Sequence, residues 1–359
     1  MTMTRSVGTY LLLVLLFGAI LAMAGCSNNT ATTPTKPAAS VSQPAAQTPT
    51  ATVKSVELSV APGGSNAPPS MGMTLQMVNI ANMIKERTNG QVTLKNYWGQ
   101  ALVKQQDVVT GLQTDICDIG VISSHTEPGK VPLALVGQQP GVGTDMWARS
   151  MAFYDICAQD PEKAELAKYN IRNFTVVMTT EQYIISRVPI RSLADLKGKR
   201  LATSGMQGQI LEALGGVGVA LSPAEQVEGL QKGTVDGIIC PTSAINDFKF
   251  YESGKYFVKI PFGYRTYPVG INMDVWNKLS ADNQKTLVAM APDMIKSAYN
   301  DYLAGDNLAI KAMQDNKIEF IEMNAADQAT VAGVDAKIAD TWAAGVGDVG
   351  KKILGTTER

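Results

Sequence analysis

From about residue 53 onward, apolar positions along the chain switch between a period of two and a period of three to four. Val56, Leu58 and Val60 alternate with polar neighbours, the signature of a half-buried strand. A helix is predicted from about Met71 to Thr88, with Leu75, Val78, Ala81 and Ile84 on one side and Asn89-Gly90 to end it. Gln91 to Tyr97 alternates again, a second helix is predicted from about Gln105 to Gln113, and Ile116 to Ile122 reads as a buried strand. Later, Ser192 caps a short helix that stops at Gly198, Lys199 to Thr203 and Thr234 to Ile239 read as strands, and a helix spans about Pro223 to Gln231. Alternating strands and helices predict an α/β protein with a doubly wound sheet in each of two lobes. From Ser280 to about Asn316 the pattern stays helical, with Leu287, Met290, Met294, Ala298 and Tyr302 at helical spacing and bends expected at Pro292 and Gly305. At about 1.5 Å per residue this helix is too long for one small lobe and is predicted to lie across both. Ile318 to Ile321 reads as one more strand.

The first 52 residues follow different rules. Arg5 precedes an apolar run, Tyr10 to Ala22, which is short for a membrane span and leads into Met23-Ala24-Gly25-Cys26. This layout resembles a bacterial lipoprotein signal peptide. The resemblance implies a signal over residues 1–25, cleavage before Cys26 and a lipid on its sulfur. Residues 26–52 are rich in Thr, Ala, Ser, Gln and Pro, with Pro34, Pro37, Pro44 and Pro49 spaced through them. Such a stretch cannot bury enough surface to offset its ordering entropy, and proline keeps it extended at roughly 3 Å per residue. It reads as a tether.

Of 359 residues, 45% are apolar and 18% charged, with a formal net charge of -1, a balance that argues against a nucleic-acid surface. With Cys26 lipidated, Cys117, Cys157 and Cys240 remain, so at most one disulfide is possible. The single histidine, His125, is the only one available to a Ser-His or Cys-His unit, and no Gly-x-Ser-x-Gly turn presents a nucleophile. No metal-ligand spacing occurs, and Gly215-Gly216-Val217-Gly218 lacks the third glycine and the preceding strand of a dinucleotide fingerprint. No catalytic role, metal or cofactor is expected. A binding protein needs only a cleft and converging side chains.

Several segments occur together in order: Lys85-Glu86-Arg87-Thr88-Asn89-Gly90 before a strand, Pro189-Ile190-Arg191-Ser192-Leu193-Ala194-Asp195-Leu196-Lys197-Gly198, Gly229 to Gly237, Phe250-Tyr251-Glu252, and Asn272 to Leu279. Together they resemble the DctP-type substrate-binding proteins of TRAP (tripartite ATP-independent periplasmic) transporters. The resemblance implies a periplasmic-binding-protein-like clamshell, with lobe I over 53–178 and 265–305 and lobe II over 179–264 and 306–359. It also implies a small organic ligand enclosed by hinge closure, and delivery to small and large integral membrane subunits. With the lipid signal, it places the protein outside the cytoplasm, anchored to the outer face of the cell membrane or in the periplasm. A ligand-sensing receptor of the same fold feeding a signalling partner is the other function this architecture serves.

The chain departs from the family where the ligand is expected. The family arginine four residues beyond the Leu-Lys-Gly turn is replaced by Ala202, a second family arginine falls at Gln182, and the usual Gln-Glu-Asn-Pro reads Ile238-Ile239-Cys240-Pro241. Ligand contacts are expected at Gln182, Tyr183, Ala202, Cys240, Asn272, Trp98, Ser123 and Arg265. Ser124, His125 and Gln105 fall nearby. A buried carboxylate without a partner is costly, so a displaced clamp, Arg187 or Arg265, is expected for an organic acid. A largely neutral or aromatic ligand is the other option. Asp236 and Glu225 are expected to satisfy nearby backbone donors, and Trp276 and Tyr251 to pack. Cys26→Ser should yield protein without acyl chains and with an uncleaved signal; intact mass from the native host checks this, and an unmodified mature wild-type terminus overturns it.

Overall fold

The structure, a computed structural model, describes residues 55–63, 72–140, 146–160, 162–179, 181–203 and 205–357. The signal, the tether and Cys26 lie outside the described residues. In chain order the elements are β1 (Val56–Ala61), α1 (Met73–Arg87), β2 (Val92–Asn96), α2 (Val108–Gln113), β3 (Ile119–Val121), α3 (Met146–Cys157), α4 (Glu162–Ala167), β4 (Ile171–Met178) and β5 (Gln182–Ser186). These lead into β6 (Arg200–Ala202), α5 (Met206–Ala213), β7 (Val217–Val219), α6 (Pro223–Lys232), β8 (Gly237–Pro241), α7 (Thr242–Asp247), β9 (Tyr256–Lys259) and β10 (Thr266–Asn272). The chain continues as α8 (Met273–Lys278), α9 (Ala281–Ala289), α10 (Ala291–Asp315), β11 (Glu319–Glu322), α11 (Ala325–Gly345) and α12 (Asp348–Thr357).

Two sheets define the two lobes, ordered β2-β1-β3-β10-β4 and β11-β9-β5-β8-β6-β7. Each is the wound α/β sheet the periodicity predicts, with one strand reversed. In the first, β10 runs antiparallel to β3 and β4; in the second, β5 runs antiparallel to β8 and β9. The reason is topological. Each exception is the strand that enters a lobe after crossing from the other, so it runs against the strands wound within that lobe. The parallel strands β1, β3, β6 and β8 point their carboxyl ends at the cleft between the sheets, where open α/β sheets bind ligands.

The two crossings run side by side. Thr179 N donates to Arg265 O at 2.8 Å, and Arg265 N donates to Thr179 Oγ1 at 3.1 Å. Phe262 N donates to Gln182 O at 2.9 Å, and Gln182 N donates to Gly263 O at 3.2 Å. They form a two-stranded ribbon between the lobes.

Helix α1 buries a face rotated from the predicted one: Met77, Ile80 and Ile84 are fully buried, while Leu75 and Val78 are half-buried. The rotation follows from Gln76, whose Nε2 donates to Met178 O at 2.7 Å and whose Oε1 accepts from Met178 N at 3.0 Å. A side-chain amide that replaces a strand partner can be buried at little cost. The predicted long helix is two, α9 and α10, parted at Met290 with Pro292 in the first turn of α10, where a missing N–H costs nothing. Helix α10 packs on α1 in lobe I and α7 in lobe II, so it spans both. Asn79 Nδ2 donates to both Asp301 carboxylate oxygens at 2.9 Å, tying α1 to α10. On the facing side, Gly72 (φ +59°) precedes α1, and a Cβ there would lie 3.2 Å from Ser243 Oγ of lobe II. Strand β7 occupies the glycine-rich run, and the last strand is shifted one residue to 319–322. Cys117, Cys157 and Cys240 are free and buried. No helix among the described residues is long and apolar enough to cross a membrane.

Buried acids gather where the connecting elements meet. Burial pushes the Glu181 carboxyl, beside the ribbon, up to about 7; the Arg149 guanidinium of α3 opposes that and the Asp335 charge of α11 adds to it. Glu181 N also donates to the Tyr302 hydroxyl of α10 at 3.3 Å. Burial alone pushes Asp335 up to about 7, and Glu162 of α4 shifts likewise. An acid whose folded pKa is raised is stabilising while protonated, so this contribution is complete below the ordinary carboxylate range and is lost as pH rises through 7. The melting temperature should therefore fall between pH 5 and pH 8, and Asp335→Asn should flatten the fall. Parallel pH profiles for the variant and the wild type would overturn this account.

Candidate ligand-binding site

At the cleft, the carboxyl end of the second sheet and the ribbon enclose a chamber of about 190 Å³. Gln182 opens β5, Thr203 follows β6, Ile239, Cys240 and Pro241 end β8, and Arg265 comes from the second crossing. Phe248 and Phe250 close its apolar side. Among the described residues that line this chamber there is no carboxylate, and Arg265 is the one cation.

Arg265 is held from lobe II. One guanidinium nitrogen donates to Gln207 Oε1, on the first turn of α5, and Gln207 Nε2 donates to Phe262 O at 3.3 Å. Arg265 Nε is buried without a hydrogen-bond partner, and so is Gln182 Nε2 in the same chamber. Gln182 is 3% exposed. Unpaired buried donors are unfavourable; both await an acceptor.

His125 stands next to this pair, its ring 6.0 Å from that of Tyr267 and its side chain 3.9 Å from where a Cβ on Gly205 would lie. Burial, then the Arg265 cation, pull its pKa down to about 3 against a hydrogen bond with Gln138. His125 is neutral at physiological pH and offers the cleft no second charge. Ser123 is buried and accepts from Gln105 Nε2 at 2.7 Å, as the strand-end reading expects.

The structure brings together Gln182, Cys240 and Arg265 and separates the other sequence candidates. Ala202 is wholly buried in the β6 core among Ile185, Ile238 and Cys240, too enclosed to offer more than a wall. Tyr183 turns to the opposite side of β5 from Gln182. It packs edge-on to Phe257 at 5.3 Å between centroids and lines a separate cavity with Asp335. Trp98 packs against the first lobe's core. Asn272 is a correction: its Oδ1 accepts from Asp274 N and Val275 N to cap α8, and its Nδ2 donates to Leu112 O and Asp115 Oδ1. No amide valence is left for a ligand, and β10 carries it away from the cleft. Arg187 lies over Gly233 at the far end of β5, roughly 16 Å from Gln182 at about 3.3 Å per residue, too far to clamp a ligand there. Asp236 Oδ2 accepts from Arg200 N at 2.8 Å and Glu225 Oε2 from Ser222 N at 2.7 Å, the backbone roles expected of them. Trp276 is buried in the first core under the Arg172 guanidinium.

Gln207 is the residue the sequence did not disclose. It follows Gly205-Met206 as an ordinary helix start, and only the fold carries it to the ribbon. Among the described residues no group of His, Cys, Asp and Glu is arranged to hold a metal ion.

Known proteins share this architecture. A TRAP periplasmic solute binding protein from Desulfovibrio salexigens, solved as an open complex, superposes with a TM-score of 0.75 at 26% identity, covering 84% of this chain and 94% of that one. The 2,3-diketo-L-gulonate-binding periplasmic protein of Escherichia coli is 25% identical over 215 residues, 59% of this chain and 65% of that protein. A monocarboxylate 2-oxoacid-binding periplasmic protein of Nostoc is 24% identical over 240 residues, 66% of each. The chain thus spans about two thirds of the length of these curated relatives. Residues 63–343, well over half of the chain, match bacterial extracellular solute-binding protein family 7, and the chain belongs to that family.

Proposed function

We propose that the protein is an extracytoplasmic solute-binding lipoprotein that closes its lobes on a small monocarboxylate and delivers it to TRAP-type membrane subunits. The observation that carries the ligand class is the chamber's charge inventory: one guanidinium, no carboxylate and a neutral histidine beside it. A single carboxylate replaces Gln207 as the acceptor for Arg265 and forms a charge-assisted pair, while the Gln182 amide donates to a second oxygen. A dicarboxylate would leave one charge desolvated without a partner. The names of relatives support an acid ligand: besides the 2-oxoacid protein of Nostoc, a structural neighbour from Bordetella bronchiseptica carries bound mandelate. Capture rather than catalysis fits a cleft whose lining lacks a nucleophile activated by a base. The anchor rests on Cys26 and the tether, the delivery step on the family.

Arg265→Ala should weaken binding of pyruvate or lactate by about 2 to 5 kcal/mol, the range for removing one partner of a buried charge pair. Gln182→Ala should cost about 1 kcal/mol, one neutral hydrogen bond. Calorimetry on the purified body reads both. Binding of succinate as tight as that of any monocarboxylate, or an Arg265→Ala variant that binds acids normally, would refute this reading.

A further inference from the structure

The cleft holds a second, larger space that the carboxylate reading leaves empty. It measures about 640 Å³, three times the small chamber, and lies between the His125 loop of lobe I and helices α5 and α11. Pro128 and Leu135, Met206 of α5, and Val334, Ile338 and Trp342 of α11 give it an apolar lining. Its ionisable side chains are His125, which is neutral, and the exposed Lys337. Trp342 Nε1 donates to Pro132 O at 2.9 Å, so the indole's one polar group is satisfied and its rings stand as a fixed wall.

The two spaces approach each other at the start of α5 and at His125, which lines the larger one and feels the Arg265 charge of the smaller. Met206 faces the larger space, its neighbour Gln207 holds Arg265 in the smaller, and His125 and Gly205 lie alongside. Between them Gln207 is held by an amide oxygen accepting from a guanidinium, a bond that a carboxylate outcompetes. We propose that the two spaces form one bipartite site for an elongated alkyl or aryl monocarboxylate, with its acid group on Arg265 and its apolar body in the larger chamber. This rests on the reading of Arg265 given above. The small chamber is enough for an acid group and a few carbons. A longer apolar body gains by passing the displaced Gln207 into the larger chamber, because burying it there releases water from Met206, Ile338 and Trp342 as well.

The test is titration calorimetry of the purified body with propionate, hexanoate and 3-phenylpropionate. Each added methylene should tighten binding by about fourfold, the value of full burial. Met206→Trp, which fills the chamber from the α5 side, should bring hexanoate down to the affinity of propionate; Ile338→Gln, on the opposite wall, should do the same if Met206→Trp misfolds. Arg265→Ala should weaken all three acids. Affinity that is flat or falling with length, or no binding of any of the three at millimolar concentration, overturns the bipartite site. So does a length dependence that neither wall variant touches, because the tail then lies elsewhere. If length matters and Arg265→Ala changes nothing, the acid is not on Arg265, and the carboxylate reading fails separately.

Discussion

Everything about this site depends on four backbone-level hydrogen bonds between the two lobe crossings, those joining Thr179 to Arg265 and Gln182 to Phe262 and Gly263. Two separate linkers would leave the lobes free to twist as well as to bend. Paired in a ribbon, they restrict the motion to an opening and closing about one line. Because Gln182 and Arg265 sit on the ribbon itself, these two buried donors without partners hold their places relative to each other whatever the lobes do. In the proposed function the ligand's polar end is recognised by the hinge, and the lobes supply the walls.

That placement also bears on the alanine expected at the family's arginine position, Ala202. An arginine at the end of β6 would project from lobe II, whereas Arg265 reaches the cleft from the crossing and is steadied from lobe II by Gln207. Ala202 itself packs among Ile185, Ile238 and Cys240.

Local patterning made the winding of each lobe legible: β1, α1, β2, α2 and β3 follow from the periodicity, and the caps at Ser192 and Ser222 follow from their acids three residues on. What periodicity does not carry is direction. Strands β5 and β10 look like any buried strand in sequence, and their reversed sense appears only once the chain has crossed between lobes. The α1 face was misread because a glutamine bonded to Met178 can be as buried as a leucine. At the site, Arg265 and Gln182 were accessible through departures from the family pattern, but Asn272 was not separable from them. An asparagine that caps a helix and one that binds a ligand have the same letter, and only the filled valences at Leu112 and Asp115 tell them apart. Gln207 carried no signal at all.

Gly72 marks a point where the two lobes come close to each other. Where α1 begins, lobe I meets Ser243 of lobe II with no side chain between them, and the backbone there adopts a positive φ that other residues resist. A methyl group at that point would act as a doorstop. Because a ligand that needs the closed form binds more weakly in proportion to how seldom that form is visited, the absence of one carbon atom beside the crossings, where Thr242 N donates to Glu181 O, bears on how readily the lobes can meet.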